Sequence, residues 1–280
     1  MQTTVTADLK PMELGEILDA AITIFRRHFG LFLKIGVVAL WFPVALTIYI
    51  QLAGGPQQHI LLAILAWLTQ WFAGLFLTAS TIRVISDSYL GRPPVLGDAV
   101  AMGAAKMWGL FVVGLGKGII LGLIGVLLAA AIALANLGVT GGAAFAVTGV
   151  LVIGCIWLLL FVACGYAVTT PVVVLEHLAG SFDAFGRSWE LTRGLKRKVL
   201  GIFTVTFLMV YLPVIIFGAI GGWLSLESPA VGEVVEVLSA ALPIVLTPLL
   251  SCVLTLVYYD LRVRREAFDL QILSQQLGLT

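Results

Sequence analysis

Six long apolar stretches, and the basic residues between them, constrain this chain more than any other feature of its sequence. The stretches lie at about residues 31–52, 60–84, 112–135, 142–170, 199–223 and 237–259. Each is long enough for a helix that crosses the hydrocarbon core of a bilayer, which takes about 20 residues. Because a segment in lipid must satisfy its own backbone hydrogen bonds, these stretches are predicted to be helical. We therefore predict an all-α integral membrane protein with six transmembrane helices.

The sixteen lysine and arginine residues can all be assigned to one side of the membrane. The connections after the first, third and fifth stretches, residues 53–59, 136–141 and 224–236, contain no lysine or arginine. Basic residues beside spanning helices stay in the cytoplasm. The alternation therefore predicts a multi-pass protein with both termini in the cytoplasm.

The composition leaves little sequence for a soluble domain. Apolar residues make up 60% of the 280 residues and charged residues only 11%, whereas soluble domains are about half apolar and about a quarter charged. The mean hydropathy is +1.09. The three cysteines all lie inside apolar stretches, which argues against a disulfide framework. We predict one polytopic membrane domain over residues 1–280.

A recurring unit lies between the apolar stretches. Each copy opens near an acidic residue, continues as an amphipathic segment and enters the membrane at a Gly-apolar-Phe triplet. The copies run from Leu14 to Phe32, from Leu96 to Phe111 and from Ser181 to Phe203. Two apolar stretches follow each copy, and such a repetition indicates architecture. We predict three degenerate units, each a cytoplasmic amphipathic helix followed by a transmembrane hairpin.

Amphipathic helices are predicted in each unit and once more after the last stretch. The predicted ranges are about 12–29, 95–108, 181–198 and 260–277. In the first range, apolar residues recur at three- and four-residue steps, which places them on one helical face. Such helices lie in the membrane interface with the apolar face down. They either cap the cytoplasmic end of the bundle or sense lipid composition and curvature, and we favour the first interpretation.

The densest basic cluster lies directly before the fifth stretch. It consists of Arg193, Lys196, Arg197 and Lys198. Four such residues beside a span are at the lower edge of what indicates binding of anionic lipid headgroups. Ordinary anchoring of the topology explains the cluster equally well. The two interpretations stay open, since one cluster can serve both purposes.

A polar stripe runs along the sixth stretch at four-residue steps. Its members are Ser239, Pro243, Thr247, Ser251, Thr255 and Tyr259. One interpretation is a polar seam that lines a cavity or substrate path. The other is a kinked helix that packs through small residues and hydroxyl bonds between helices. We favour the structural interpretation, because the stripe contains no acidic residue.

Lys117 is the first candidate for an intramembrane functional group. It lies in the third stretch, and an ionisable residue within a span is a functional hypothesis by default. A lysine stem can also extend along apolar surface and place its ammonium group at the headgroups. We favour this interfacial position over a buried functional cation.

The sequence shows no motif of a known catalytic or metal centre. His28, His59 and His177 are scattered and have no metal-ligand spacing, and no HExxH, GxSxG or P-loop pattern occurs. No pair of carboxylates lies within the apolar stretches. We predict no catalytic residues, no cofactor, no metal site and no nucleic-acid partner.

Three segments resemble one known family. They are LKPMELGEILDAAITIFRRHF (residues 9–29), SFDAFGRSWELTRGLKRKVLGIF (residues 181–203) and LVYYDLRVRREAFDLQIL (residues 256–273). Essentially the whole chain is similar to the membrane domain associated with glycerophosphoryl diester phosphodiesterases. The family is mostly bacterial, so the resemblance implies a bacterial cytoplasmic (inner) membrane. It also implies an association with phospholipid headgroup metabolism. Some members carry a soluble catalytic barrel whose histidine motif is absent here, so the activity is not implied.

Three classes of function compete at this point. The first is a non-catalytic scaffold or accessory subunit that handles phospholipids or glycerophosphodiesters, with anionic lipids and a protein at the cytoplasmic face as partners. The second is a transporter or lipid-translocating protein that uses the polar stripe. The third is an intramembrane enzyme, which the missing acid and base groups disfavour. We rank them in this order.

Overall fold

The computed structural model describes residues 11–55, 57–136 and 142–266, and within these ranges the chain forms helices joined by short turns, without a strand. The helices are α1 (Leu14–Arg27), α2 (Phe29–Leu52), α3 (Ile60–Tyr89), α4 (Leu96–Asn136), α5 (Gly142–Gly165), α6 (Thr169–Leu175), α7 (Asp183–Thr192), α8 (Lys196–Glu227) and α9 (Pro229–Glu266).

Six helical segments of the described chain are long and apolar enough to cross a membrane. They are Phe29–Ile50, Ile60–Tyr89, Leu96–Ala130, Val147–Leu175, Lys196–Leu224 and Leu246–Glu266. Their number is the one that the sequence predicts. Most of their outer residues are large and apolar, Trp41, Trp157 and Ile215 among them, as expected for surfaces that face lipid.

α9 lies at the centre of the bundle. From Leu249 to Leu261 it is buried on nearly every side, and Leu256 and Tyr258 are completely enclosed. It packs along α8 and also contacts α1, α3 and α7. A helix that is apolar all round is typical of such an enclosed position. The other long helices pack in chain order, α2 on α3, α3 on α4 and α4 on α5.

α1 is an amphipathic helix separate from the first span. The backbone N–H of Glu13 donates to the Glu16 carboxylate at 2.7 Å, which closes the first turn in the manner of a capping box. Ile17, Ala21 and Ile24 are buried, and the helix packs mainly against α9. The predicted apolar face of α1 therefore contacts protein. This contact ties the N-terminal part of the chain to the central helix.

Two of the predicted amphipathic segments are not separate helices. Residues 95–108 form the first part of α4, since no proline interrupts the chain between Leu96 and Asn136 and the helix continues into the span. Residues 260–266 continue α9 in the same way. The rest of that predicted helix, residues 267–277, lies outside the described residues.

The predicted fourth span, residues 142–170, is interrupted before its end. α5 stops at Gly165 and α6 begins at Thr169. A side chain at Gly165 would place its Cβ 2.3 Å from the Trp189 ring, so glycine is required for the approach of α7. The Gly165 carbonyl accepts a hydrogen bond from the Ser188 hydroxyl at 2.9 Å. The docking of α7 thus satisfies a backbone group that the break releases.

Candidate functional site

A cavity of about 260 Å³, lined by charged and apolar residues, opens at one end of the bundle. We call this end the basic end; there α1, the α3–α4 turn, the α6–α7 turn, the start of α8 and the end of α9 meet. The cavity, called here the α3–α9 cavity, has walls from α3, the turn after it, α4, the end of α6 and α9. Four cationic side chains line it: Arg83, Arg92, Lys106 and Arg262.

The position of Arg92 follows from the way in which α3 ends. Gly91 has φ +74°, a left-handed conformation that costs a glycine little. The Arg92 N–H donates to the Asp87 carbonyl at 2.7 Å, and the Gly91 N–H donates to the Ser88 carbonyl at 3.2 Å. These two bonds form a Schellman motif. The motif fixes the backbone of Arg92 at the mouth of the cavity.

The α3 wall holds a buried acid and a buried hydroxyl pair. Arg83 Nε lies 3.0 Å from Asp87 Oδ2, and the Asp87 side chain is only 6% exposed. The hydroxyls of Ser86 and Tyr259 lie 2.7 Å apart in a hydrogen bond. Arg83 and Asp87 lie one helical turn apart, so they form the pair along one face of α3. The bond between Ser86 and Tyr259 joins α3 to α9 beneath the cavity.

Glu176 joins the cavity to α7. Its carboxylate accepts hydrogen bonds from Arg187 Nε at 3.0 Å and from the Tyr258 hydroxyl at 3.0 Å. Its backbone carbonyl accepts one from Lys106 Nζ at 3.3 Å. Arg187 also pairs with Glu266. Burial lowers the pKa of Arg187, but hydrogen bonds and charge from both carboxylates outweigh it and raise that pKa above its ordinary value.

The cavity is positively charged overall. Glu176 is the single carboxylate among its lining residues, and it already accepts from Arg187 and Tyr258. Arg83 is paired with Asp87, whereas Arg92 and Lys106 form no ion pair within the described residues. Arg262 donates to Glu266 at 2.9 Å and to the Tyr258 hydroxyl at 3.2 Å. A low-dielectric pocket lined mainly by one sign of charge concentrates ions of the other sign. The arrangement therefore suits an anion.

A second cavity of about 380 Å³ adjoins the first at Arg92. We call it the α1–α3 cavity, because Arg27 lines it from the end of α1 and Ser88 lines it from α3. His28, between α1 and α2, lines it as well. His28 Nε2 lies 2.9 Å from the Ser88 hydroxyl. Burial, and then the charge of Arg27, lower the pKa of His28 below 6.5.

The predicted basic cluster is divided by the structure. Lys198 faces the interior, where its ammonium group donates to Asp260 Oδ2 at 2.6 Å and to the Met12 carbonyl at 2.5 Å. Arg193 and Arg197 are exposed. The Arg193 carbonyl accepts a bond from the Arg265 guanidinium. The charge of Lys198 is therefore already paired, whereas those of Arg193 and Arg197 are exposed at the basic end.

Lys196, the remaining member of the cluster, lies between two aromatic rings. Its ammonium nitrogen is 3.3 Å from the centre of the Phe161 ring and 3.4 Å from that of Trp189. Both are cation–π contacts. They join the start of α8 to α5 and α7.

The polar stripe of α9 has mixed surroundings. The Thr255 hydroxyl donates to the Ser251 carbonyl of its own helix at 2.7 Å, and Thr255 and Ser251 are buried. Tyr259 lines the α3–α9 cavity. Thr247 is partly buried near Pro248, and the side chain of Ser239 lies outside the part of the chain that the structure describes.

Lys117 is half-buried on α4 and donates to the Thr170 hydroxyl of α6 at 3.3 Å. It lies eleven residues beyond Lys106, or about 16 Å along the helix. The structure therefore does not bring it into the α3–α9 cavity.

Tyr259 of the predicted polar stripe lines the α3–α9 cavity, but the cations of the cavity and Glu176 were not predicted as site residues. One signal for them is the run Gly91-Arg92-Pro93-Pro94, which is typical of a helix that ends in a Schellman motif. Glu176 carries a second signal, since an acid directly after an apolar stretch is expected to bind a base nearby. Neither signal predicts which helices meet at the cavity.

No family model, no curated protein and no solved structure matches this chain. Among the described residues, no group of three or more histidine, cysteine, aspartate or glutamate side chains is placed to hold a metal ion.

Proposed function

We propose that this protein is a non-catalytic integral membrane protein, a scaffold or accessory subunit for the handling of phospholipids or glycerophosphodiesters, and that it binds an anionic headgroup in the α3–α9 cavity. The observation that carries the proposal is that Arg92 and Lys106 line the cavity and form no ion pair with a carboxylate of the described residues. The other two lining cations, Arg83 and Arg262, are paired with Asp87 and Glu266.

The side chains of the cavity match the chemistry of a phosphate group. Arginine presents a planar fork that binds two phosphate oxygens at once, and lysine acts as a compact point charge. Lys106 has three N–H donors, and the Glu176 carbonyl accepts one of them. Arg92 is exposed at the mouth. Both residues therefore have donors that face the cavity.

The position of the cavity along the spanning helices also matches the layer of the lipid headgroups. Arg83 and Ser86 lie in the last two turns of α3, and Leu90 follows that helix directly. Tyr258 and Arg262 lie near the end of α9. Headgroups occupy the layer that flanks the hydrocarbon core. A cavity at the ends of spanning helices therefore lies in this layer.

The resemblance to the membrane domain of glycerophosphoryl diester phosphodiesterases supports the same function. We include in the proposal a bacterial cytoplasmic membrane, cytoplasmic termini and three repeated units. α1 and α7 support the repeat, since each is a separate helix before a long span. A Gln57→Cys variant should react with an impermeant thiol reagent on intact cells, and a Ser274→Cys variant should not. Labelling of Ser274→Cys alone would show that the protein has the opposite orientation.

The proposal is tested by lipid binding to the purified full-length protein in nanodiscs of phosphatidylcholine. Added phosphatidylglycerol should bind at fixed stoichiometry, as read by native mass spectrometry. Because a hydrogen bond to a charged group contributes about 1.5–3 kcal/mol, Lys106→Gln and Arg92→Gln should each weaken binding about tenfold or more. Arg26→Gln, which removes an exposed arginine of α1, is the matched control. Equal binding by all four proteins would refute the proposal.

A transporter that uses the polar stripe is the second candidate, and it is favoured by the presence of Tyr259 in both the stripe and the cavity. In that case Thr247→Val combined with Ser251→Ala should abolish flux in reconstituted vesicles while the protein stays folded. Unchanged flux would eliminate this candidate. The bond from Thr255 to its own helix favours the scaffold.

A further inference from the structure

We propose that the α3–α9 and α1–α3 cavities together bind one headgroup that carries two phosphate groups, one on each side of Arg92. This inference rests on the proposed function, because it assumes that the α3–α9 cavity holds a phosphate. It adds the class of ligand: a diphosphatidyl lipid, in which a short polar spacer joins two phosphodiesters.

The two cavities share one wall. Arg92 lines both cavities, and it is exposed. The Schellman motif at the end of α3 fixes its backbone through the bond from its N–H to the Asp87 carbonyl. Pro93 and Pro94 follow, and their fixed φ angles stiffen the turn. A guanidinium held in this way can bind acceptors on either side with its five donors.

Cationic side chains line the cavity on each side of Arg92. In the α3–α9 cavity, Lys106 and Arg92 are the lining cations without an ion pair among the described residues. Arg83 and Arg262 are paired with Asp87 and Glu266. The α1–α3 cavity has Arg27 and Arg92, and no acidic residue is among its lining residues within the described chain. A ligand with one phosphate neutralises one side and leaves the cations of the other side facing each other. A ligand with two phosphates neutralises both.

An apolar groove along α2 favours a lipid over a soluble ligand. His28 lines the α1–α3 cavity, and the next residue, Phe29, lines an apolar groove of about 250 Å³ that extends along α2 to Val44. Fifteen residues of helix span about 22 Å, and half of the hydrocarbon core measures about 15 Å. The groove is therefore long enough for an acyl chain of one leaflet. It starts beside the headgroup cavity, so we commit to a lipid.

The experiment compares two lipids at equal total phosphate. The purified full-length protein is placed in phosphatidylcholine nanodiscs, and diphosphatidylglycerol or phosphatidylglycerol is titrated with native mass spectrometry as readout. We expect one diphosphatidylglycerol per protein and a preference of at least about tenfold over phosphatidylglycerol, since the second phosphate adds hydrogen bonds to charged groups.

Variants assign the preference to the two sides. Arg27→Gln should remove most of the preference and leave phosphatidylglycerol binding unchanged, because Arg27 lines the α1–α3 cavity alone. Lys106→Gln should weaken both lipids, and Arg26→Gln should change neither. Equal affinity of the wild type for both lipids, or an Arg27→Gln variant that matches Arg26→Gln, overturns this inference and leaves the proposed function standing.

Two further outcomes separate the alternatives. If neither lipid binds at fixed stoichiometry, the proposed function fails, and this inference fails with it. A soluble probe, 1,3-bisphosphoglycerol, tests the source of the phosphates. If it displaces diphosphatidylglycerol when both are present at equal concentration, the ligand is not a lipid and the inference is wrong; we expect no displacement.

Discussion

Lys198 and Asp260 form a buried ion pair that joins α8 to α9. The Lys198 ammonium lies 2.6 Å from Asp260 Oδ2, and the Asp260 side chain is only 1% exposed. The same carboxylate accepts from the Met12 N–H at 2.8 Å and from Arg264 Nε at 3.0 Å. Asp260 therefore joins the segment before α1, the start of α8 and the end of α9 at the basic end.

We expect Asp260→Asn to destabilise the protein strongly. The substitution keeps the shape of the side chain but leaves Lys198 and Arg264 without their carboxylate, and removal of one partner from a buried pair costs about 3 kcal/mol or more. The apparent melting temperature in detergent should fall by several degrees. Glu190→Gln is the control, because the Glu190 side chain is 72% exposed and lies 3.6 Å from Arg187. Similar melting of both variants would argue against the role of Asp260.

The basic cluster shows what the sequence can and cannot predict. The density of Arg193, Lys196, Arg197 and Lys198 before a span indicates which end of the bundle is basic. It does not indicate that Lys198 faces Asp260, 62 residues away, or that two aromatic rings enclose Lys196. Such pairings depend on which helix faces meet, and a local pattern in one segment does not record them.

Gly165→Ala should displace α7. The new Cβ would lie 2.3 Å from the Trp189 ring, and overpacking of this kind costs about 1–3 kcal/mol. Melting should occur at lower temperature, and protease cleavage at the α6–α7 turn should become faster. Gly154→Ala in the same helix meets nothing within 4 Å and should melt like the wild type. If the two variants melt alike, the contact between α5 and α7 is not tight.

The break after α5 was not predicted, and its cause explains why. Residues 142–170 contain no charged residue, so hydropathy alone predicts one continuous span. Where the helix ends, Ser188 and Thr192, both on α7, bind the Gly165 carbonyl, and such contacts between distant segments leave no local pattern. The spans themselves follow from hydropathy, because the bilayer imposes one length on every helix. Tertiary contacts determine the break.

Two hydroxyl groups of the polar stripe differ in their hydrogen-bond partners, and their removal should differ in its effect on stability. Thr255→Val should have little effect on stability, since its hydroxyl only bonds back to the Ser251 carbonyl, an arrangement that contributes little to a helix. Tyr259→Phe should lower the free energy of unfolding by about 1 kcal/mol, because it removes the bond to the Ser86 hydroxyl. Melting of both variants in detergent measures the difference. A larger loss in Thr255→Val would contradict these assignments.

The four-residue spacing of the stripe correctly places Ser251, Thr255 and Tyr259 on the same helix, but it does not tell which hydroxyl has a partner in another helix. Ser86 belongs to α3, 173 residues before Tyr259. Ser86 and Tyr259 also line the α3–α9 cavity. Its cations come from four separate segments of the chain, so no local motif contains them.

The stability of the protein should fall at mildly acidic pH because of His28. Burial and the charge of Arg27 lower the pKa of His28 below 6.5 in the folded state. As the pH falls through about 6.5, the unfolded chain takes up the proton first, so stability declines until the pH is below the pKa of the folded state. The decline is absent well above pH 6.5. The melting temperature of the wild type should therefore fall more steeply between about pH 7 and about pH 5 than that of His28→Gln. Parallel slopes for the wild type and His28→Gln would show that His28 does not cause the pH dependence.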